Sequence, residues 1–266
     1  VTGSVNFFGD AMIKFPALFA ALIFSASASA HFGSVLPDKQ IVENQKDNVL
    51  TLTAAFNHPM EQTGMTMDKP QKFSVFKDNQ AQDLTSTLKP ATVLGKDAWT
   101  TQYKISRPGL YQFLLEPAPY WEPAEDKFII HYSKLYVPAY GVEEGWENPL
   151  GVKTEIVPLT RPFGNYVGNL FRGKVLVDGK PAANTPVEVE FYNKGKTAEA
   201  PNDIFVTQTV MTDEQGIFSY SVPWAGWWGF AALTDADYQM KKDGADKDVE
   251  LGAVLWTEFV SPKLKK

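Results

Sequence analysis

Residues 186–192 read PVEVEFY, so that Val187, Val189 and Phe191 alternate with Glu188, Glu190 and Tyr192. Successive side chains of a strand point to opposite faces, so this stretch predicts a strand with one apolar and one more polar face. Its surroundings repeat the theme. Residues 171–177 run into the turn pair Asp178-Gly179, and further short apolar runs follow at 204–212, 216–222, 227–233 and 248–259. About seven short strands at such spacing predict an antiparallel sandwich.

The upstream half carries the same punctuation. Runs rich in Val, Ile, Thr, Phe and Tyr at 49–56, 72–77, 99–105, 109–116 and 127–137 are separated by Gly, Pro, Asn and Asp. The Arg107-Pro108-Gly109 turn suits a strand-to-strand connection, because Pro presets φ and Gly tolerates positive values. No long amphipathic helix pattern occurs. The fold class is therefore all-β, two antiparallel β-sandwich domains at 31–140 and 164–266, joined by a linker at 141–163 in which 154–159 adds an edge strand. In the second domain Gly173, Val175 and Val177, then Asp178-Gly179-Lys180-Pro181 and Thr212-Asp213 with Gly216 and Phe218, resemble transthyretin-like and carboxypeptidase-regulatory-like sandwiches, so this domain is expected to be transthyretin-like or Ig-like.

The start of the chain reads as an export signal. Lys14 supplies the positive charge, residues 15–24 the apolar stretch, and residues 25–30 a small-residue zone ending in Ala28-Ser29-Ala30. The apolar stretch is too short to span a membrane. Met12 is the expected initiator, and cleavage after Ala30 makes His31 the new N-terminus of a periplasmic protein; an uncleaved signal would anchor it. A terminal histidine offers a metal two nitrogens, its α-amine and its ring Nδ1. Cleavage that leaves Ala30 first gives instead a planar chelate through the amine, the His31 amide and the His31 ring.

Composition narrows the chemistry. The formal charge of −6 is mild and the basic residues are scattered, which argues against a nucleic-acid partner. The chain has no cysteine, so disulfides, thiolate ligands and a Cys nucleophile are all excluded. A metal must then be held by nitrogen, oxygen or thioether groups. No phosphate-cradling Gly loop, nucleophile elbow or zinc-protease helix pair is present, and no enzymatic activity is expected.

The three histidines, His31, His58 and His131, all fall in the first domain and are the expected metal ligands. Each also has a plainer reading: a frayed terminus, an exposed loop residue before Pro59, and a hydrogen-bonded residue inside a strand. Met60, Met65 and Met67 follow His58 closely, and thioether sulfur prefers monovalent copper. They read equally as core filler. Glu61 is a candidate ligand or partner for a ring N–H. The acidic groups Glu122, Glu125, Asp126 and Glu143, Glu144, Glu147 read mainly as hydrated turns, and Trp224, Trp227 and Trp228 as core or as a binding surface.

Several stretches carry a specific resemblance: FNHPMEQTGMTM at 56–67, YWEPAEDKFIIH at 120–131, GWENPLGVKTEIVPLTR at 145–161, VEVEFYN at 187–193, AGWWGFAAL at 225–233 and DVELGAVLW at 248–256. In order along nearly the whole mature chain, they resemble the periplasmic nickel- and cobalt-binding family associated with energy-coupling-factor-type uptake transporters. The resemblance implies capture of Ni²⁺ or Co²⁺ outside the inner membrane and delivery to an inner-membrane transporter component. It implies no settled ligand set. The alternatives are a periplasmic copper carrier and a non-metal, adhesin-like β-sandwich interaction module. A terminal His paired with a second His also suits copper-dependent oxidative attack on polysaccharides, for which nothing else in the chain speaks.

Overall fold

The computed structural model describes residues 31–265, so the expected export signal at 1–30 lies outside the described residues. The first half contributes strands β1 (Phe32–Pro37), β2 (Val49–His58), β3 (Thr63–Met65), β4 (Lys72–Lys77), β5 (Gln80–Asp83), β6 (Lys89–Val93), β7 (Lys96–Lys104), β8 (Gly109–Glu116), β9 (Tyr120–Glu122) and β10 (Lys127–Ala139). The second half contributes β11 (Thr154–Pro158), β12 (Asn165–Tyr166), β13 (Leu170–Val177), β14 (Lys180–Pro181), β15 (Pro186–Phe191), β16 (Gln208–Met211), β17 (Ile217–Ser221), β18 (Gly226–Asp235), β19 (Met240–Lys242), β20 (Ala245–Lys247) and β21 (Val249–Val260). The architecture is all-β, and the helical residues described are single 3₁₀ turns.

A ten-stranded sheet runs through both halves in the order β16-β15-β18-β21-β10-β8-β4-β5, with β12 and β9 attached at its flanks. A five-stranded sheet built on β1-β2-β7-β6 packs against it in the first half, and a four-stranded sheet built on β11-β13-β14 packs against it in the second. The two covering sheets lie on opposite faces. On β10 the odd-numbered Ile129, Leu135 and Val137 join the core formed with Leu50, Leu52, Phe56 and Phe113, while Tyr136 faces the other core with Phe171, Val187, Val189 and Phe230. Each sandwich thus buries one side of the shared sheet, the favourable term that offsets ordering the chain.

Apart from one isolated parallel bridge between Val42 and Ala139, the pairing among the described strands is antiparallel except along β21. There β10 pairs in parallel, Phe128 opposite Val249 through Leu135 opposite Trp256, and β12 does the same at Asn165 and Tyr166. The halves are joined by this seam rather than by a flexible connection alone. The stretch read as a linker also carries β11, all five residues of which are buried.

One expected strand begins later than the pattern suggests. Residues 204–212 open with a 3₁₀ turn, Asp203–Phe205, because the Asn202 side chain accepts from the Ile204 amide and caps the turn. Pairing starts only at Gln208. The tryptophan run also divides: Trp228 is buried in the second core, Trp227 packs beside the first, and Trp224 stays 43 % exposed. Trp224, Trp228, Phe191, Tyr220 and Met60 line a cleft of about 460 Å³.

Candidate metal centre

The register of β1 against β2 runs from Pro37 opposite Leu52 to Phe32 opposite Asn57. One step further along the same ladder, His31 falls opposite His58. Cross-strand neighbours of this kind bring side chains into contact, and the two imidazoles meet with ring centroids 4.7 Å apart. Their side chains keep 13 % and 14 % of their surface exposed, so the pair is sunk into the protein yet open to solvent.

Each imidazole has a carboxylate beside it. His31 Nε2 lies 3.1 Å from Glu122 Oε2, while Glu122 Oε1 accepts from the Ala124 amide. Glu122 reaches this position because β9 folds back on β10 with Glu122 opposite Lys127. A carboxylate on Nε2 holds the proton there and leaves Nδ1 as the nitrogen that carries the lone pair. His58 Nδ1 stands 4.0 Å from Glu61 Oε2. Burial pushes the His31 imidazole below the ordinary histidine value, and His58 pushes the same way, against the opposing pull of Glu122.

His131 is more deeply buried. Phe56 touches both it and His31, stacked on His31 at 5.9 Å and edge-on to His131 at 5.7 Å. His131 Nδ1 accepts from the Gly33 amide at 3.4 Å. Its Nε2 faces Glu250 Oε1 at 3.6 Å, too far for a hydrogen bond, and has no other partner among the described residues. Burial pushes Glu250 up, but His131 and Lys127 outweigh it and hold the carboxyl at about 2.

The methionines do not gather. Met60 packs into the second core, and Met65 and Met67 into the first, beside Phe56. The acidic group after β9 also divides, with Glu122 on His31, Glu125 on Lys127 and Asp126 on Lys247. Farther on, Glu143 pairs with Arg161. Among the described residues, no three His, Cys, Asp or Glu side chains form a set able to hold a metal ion.

Sequence reading passed over Gly33, Ser133 and Gly252 around His131, and Trp256, which holds the Gly33 carbonyl. They meet only through the parallel β10–β21 seam and the stacking of β1 upon it, and a single sequence carries no local signal for either.

The family described as "Domain of unknown function (DUF4198)" matches residues 28–236, well over half of the chain. No curated protein matches the chain. Among solved structures it is similar to the D0-D1 domain of intimin, at 14 % identity over 87 % of this chain and 100 % of that one, with a TM-score of 0.24. Trypsin-activated alpha-2-macroglobulin from Escherichia coli matches at 10 % identity over 90 % of this chain and 16 % of that one, with a TM-score of 0.24. The Yersinia pseudotuberculosis adhesin InvE matches at 10 % identity over 83 % of this chain and 58 % of that one, with a TM-score of 0.22. Superpositions this loose carry nothing about function.

Proposed function

We propose that this chain, which belongs to the DUF4198 family of unknown function, captures a divalent transition metal, Ni²⁺ or Co²⁺, outside the cytoplasm and hands it to an inner-membrane transporter component. The observation that carries this reading is the contact of His31 with His58 while Glu122 engages His31 Nε2. Signal removal before His31 completes the donor set with three nitrogens: the amine, His31 Nδ1 and the His58 ring. Nickel accepts such nitrogen-rich sites. A three-nitrogen set leaves coordination positions open, which suits a carrier that has to release its cargo. Protons compete for every donor, so affinity falls in acid.

A second reading, a periplasmic copper carrier, is favoured by the same donor set, because intrinsic affinity in the divalent series peaks at copper. The burial of the methionines in two separate cores speaks against a thioether site for Cu⁺ alongside it.

Calorimetric titration of protein beginning at His31 with Ni²⁺, Co²⁺ and Cu²⁺ tests both readings. One-to-one nickel or cobalt binding, lost in His58→Ala and weakened when an alanine is left ahead of His31, is the expected result. Copper binding alone selects the copper carrier. No binding of any of the three removes the metal reading and leaves an interaction module.

A further inference from the structure

We propose that His131 is a positioning residue, which fixes the backbone that presents His31 and leaves ligation to His31 and His58. The inference rests on the metal reading above and deepens it.

Both polar groups of the Gly33 backbone are taken up by the floor sheet. Its N–H donates to His131 Nδ1 at 3.4 Å, and its carbonyl accepts from Ser133 Oγ at 2.7 Å and from Trp256 Nε1 at 3.0 Å. Gly33 is two residues from His31, so this clamp sets where the terminal residue and its amine lie. Two glycines make the clamp possible. A Cβ on Gly33 would sit 2.8 Å from Ser133 Oγ and 3.0 Å from His131 Cβ, and a Cβ on Gly252 would sit 2.3 Å from His131 Cδ2. The imidazole thus occupies the space that Gly252, its register partner on β21, leaves empty.

One nitrogen of His131 is committed as well. A neutral imidazole has one donor and one acceptor nitrogen. With the Nδ1 lone pair accepting from Gly33, the proton is on Nε2, which is buried, makes no hydrogen bond among the described residues and faces Glu250 at 3.6 Å, so the ring offers a metal no lone pair in this arrangement.

The test uses protein beginning at His31 with Cu²⁺ alone as a spectroscopic probe, in the wild type, His131→Asn, His131→Leu and Ser133→Ala. Asparagine places an amide oxygen near the position of Nδ1 and keeps an acceptor for Gly33, whereas leucine removes it. Pulsed electron paramagnetic resonance is expected to count two bound imidazoles in the wild type and in His131→Asn, with near-equal affinity. His131→Leu is expected to bind about tenfold or more weakly, as loss of a supporting partner does, with the same count of two. In metal-free protein the Gly33 amide is expected to exchange faster in His131→Leu and Ser133→Ala than in the wild type. Three imidazoles in the wild type falling to two in His131→Asn would make His131 a ligand and overturn the proposal. Wild-type affinity and Gly33 exchange in His131→Leu would overturn it too. If His131→Leu does not fold, Ser133→Ala and His131→Asn decide by the same exchange measurement. If the wild type binds no Cu²⁺ the metal reading itself fails, while Gly33 exchange still decides whether the clamp exists.

Discussion

Lys134 Nζ stands 2.7 Å from Glu155 Oε2, with both side chains sealed from solvent. The two oxygens of Glu155 also accept from the amides of Leu150 and Gly151, at 3.0 and 2.8 Å. One buried carboxylate therefore ties the connection between the halves to the central strand β10. Lys134→Met leaves that carboxylate without its counter-charge, and breaking a buried pair from one side costs about 3 to 5 kcal/mol. Urea unfolding is expected to show a loss of this size. A change under about 1 kcal/mol, within the range of exposed pairs, would show that the pair is not desolvated as described.

A second buried acid sets a pH dependence. Burial pushes Glu190 up to about 8, with Glu188 and Glu61 adding to it and the hydrogen bonds from Thr207 and the Met60 amide partly opposing it. The protonated form is the one the fold prefers. The stabilisation is therefore complete below the unfolded value near 4.5 and is lost as pH rises through about 8. Thermal unfolding of metal-free protein is expected to show stability declining from pH 5 to 8, and Glu190→Gln to flatten that decline. An unchanged slope in the variant assigns the dependence to other groups.

His31 has the opposite sign. Burial and His58 lower its value, so the charged ring is the form the fold resists. Stability associated with it is present above the ordinary histidine value and falls as pH drops through the lowered one. A nuclear magnetic resonance titration of metal-free protein is expected to place the His31 ring below 6.5, the unperturbed value. A midpoint at or above it would mean that Glu122 dominates.

Glu122 is expected to tune affinity without supplying a bond to the metal. Glu122→Gln keeps an acceptor for His31 Nε2 but loses the charge, and metal affinity should drop about tenfold with the number of bound nitrogens unchanged. Affinity equal to that of the wild type would make the 3.1 Å contact incidental.

Much of the strand layout is legible in the chain because alternation is a local property. Residues 72–77 and 109–116 were bounded by their turns and match β4 and β8 residue for residue. The PVEVEFY stretch places Val187 and Val189 in the core as its pattern implies. Its polar face behaves differently. Glu190 is buried because Met60 of a distant loop donates its amide to the carboxylate, and alternation cannot foresee a lid from 130 residues upstream. The pairing of His31 with His58 was only half legible: the residue types were visible, but their convergence depends on β1, a strand absent from the sequence reading. The place of His131 was not legible at all, since its surroundings come from strands far apart in the chain.

The parallel seam also dictates an order of assembly. β21 lies between β18 and β10, so the shared sheet stays divided, and the edge of β10 that faces β21 stays unpaired, until residues 249–260 have docked. Pairings this far apart in sequence form slowly, because the loop entropy between them is lost before any contact is gained. The floor on which the Gly33 clamp rests, His131 and Ser133 of β10 with Trp256 of β21, therefore comes together only when the downstream half arrives.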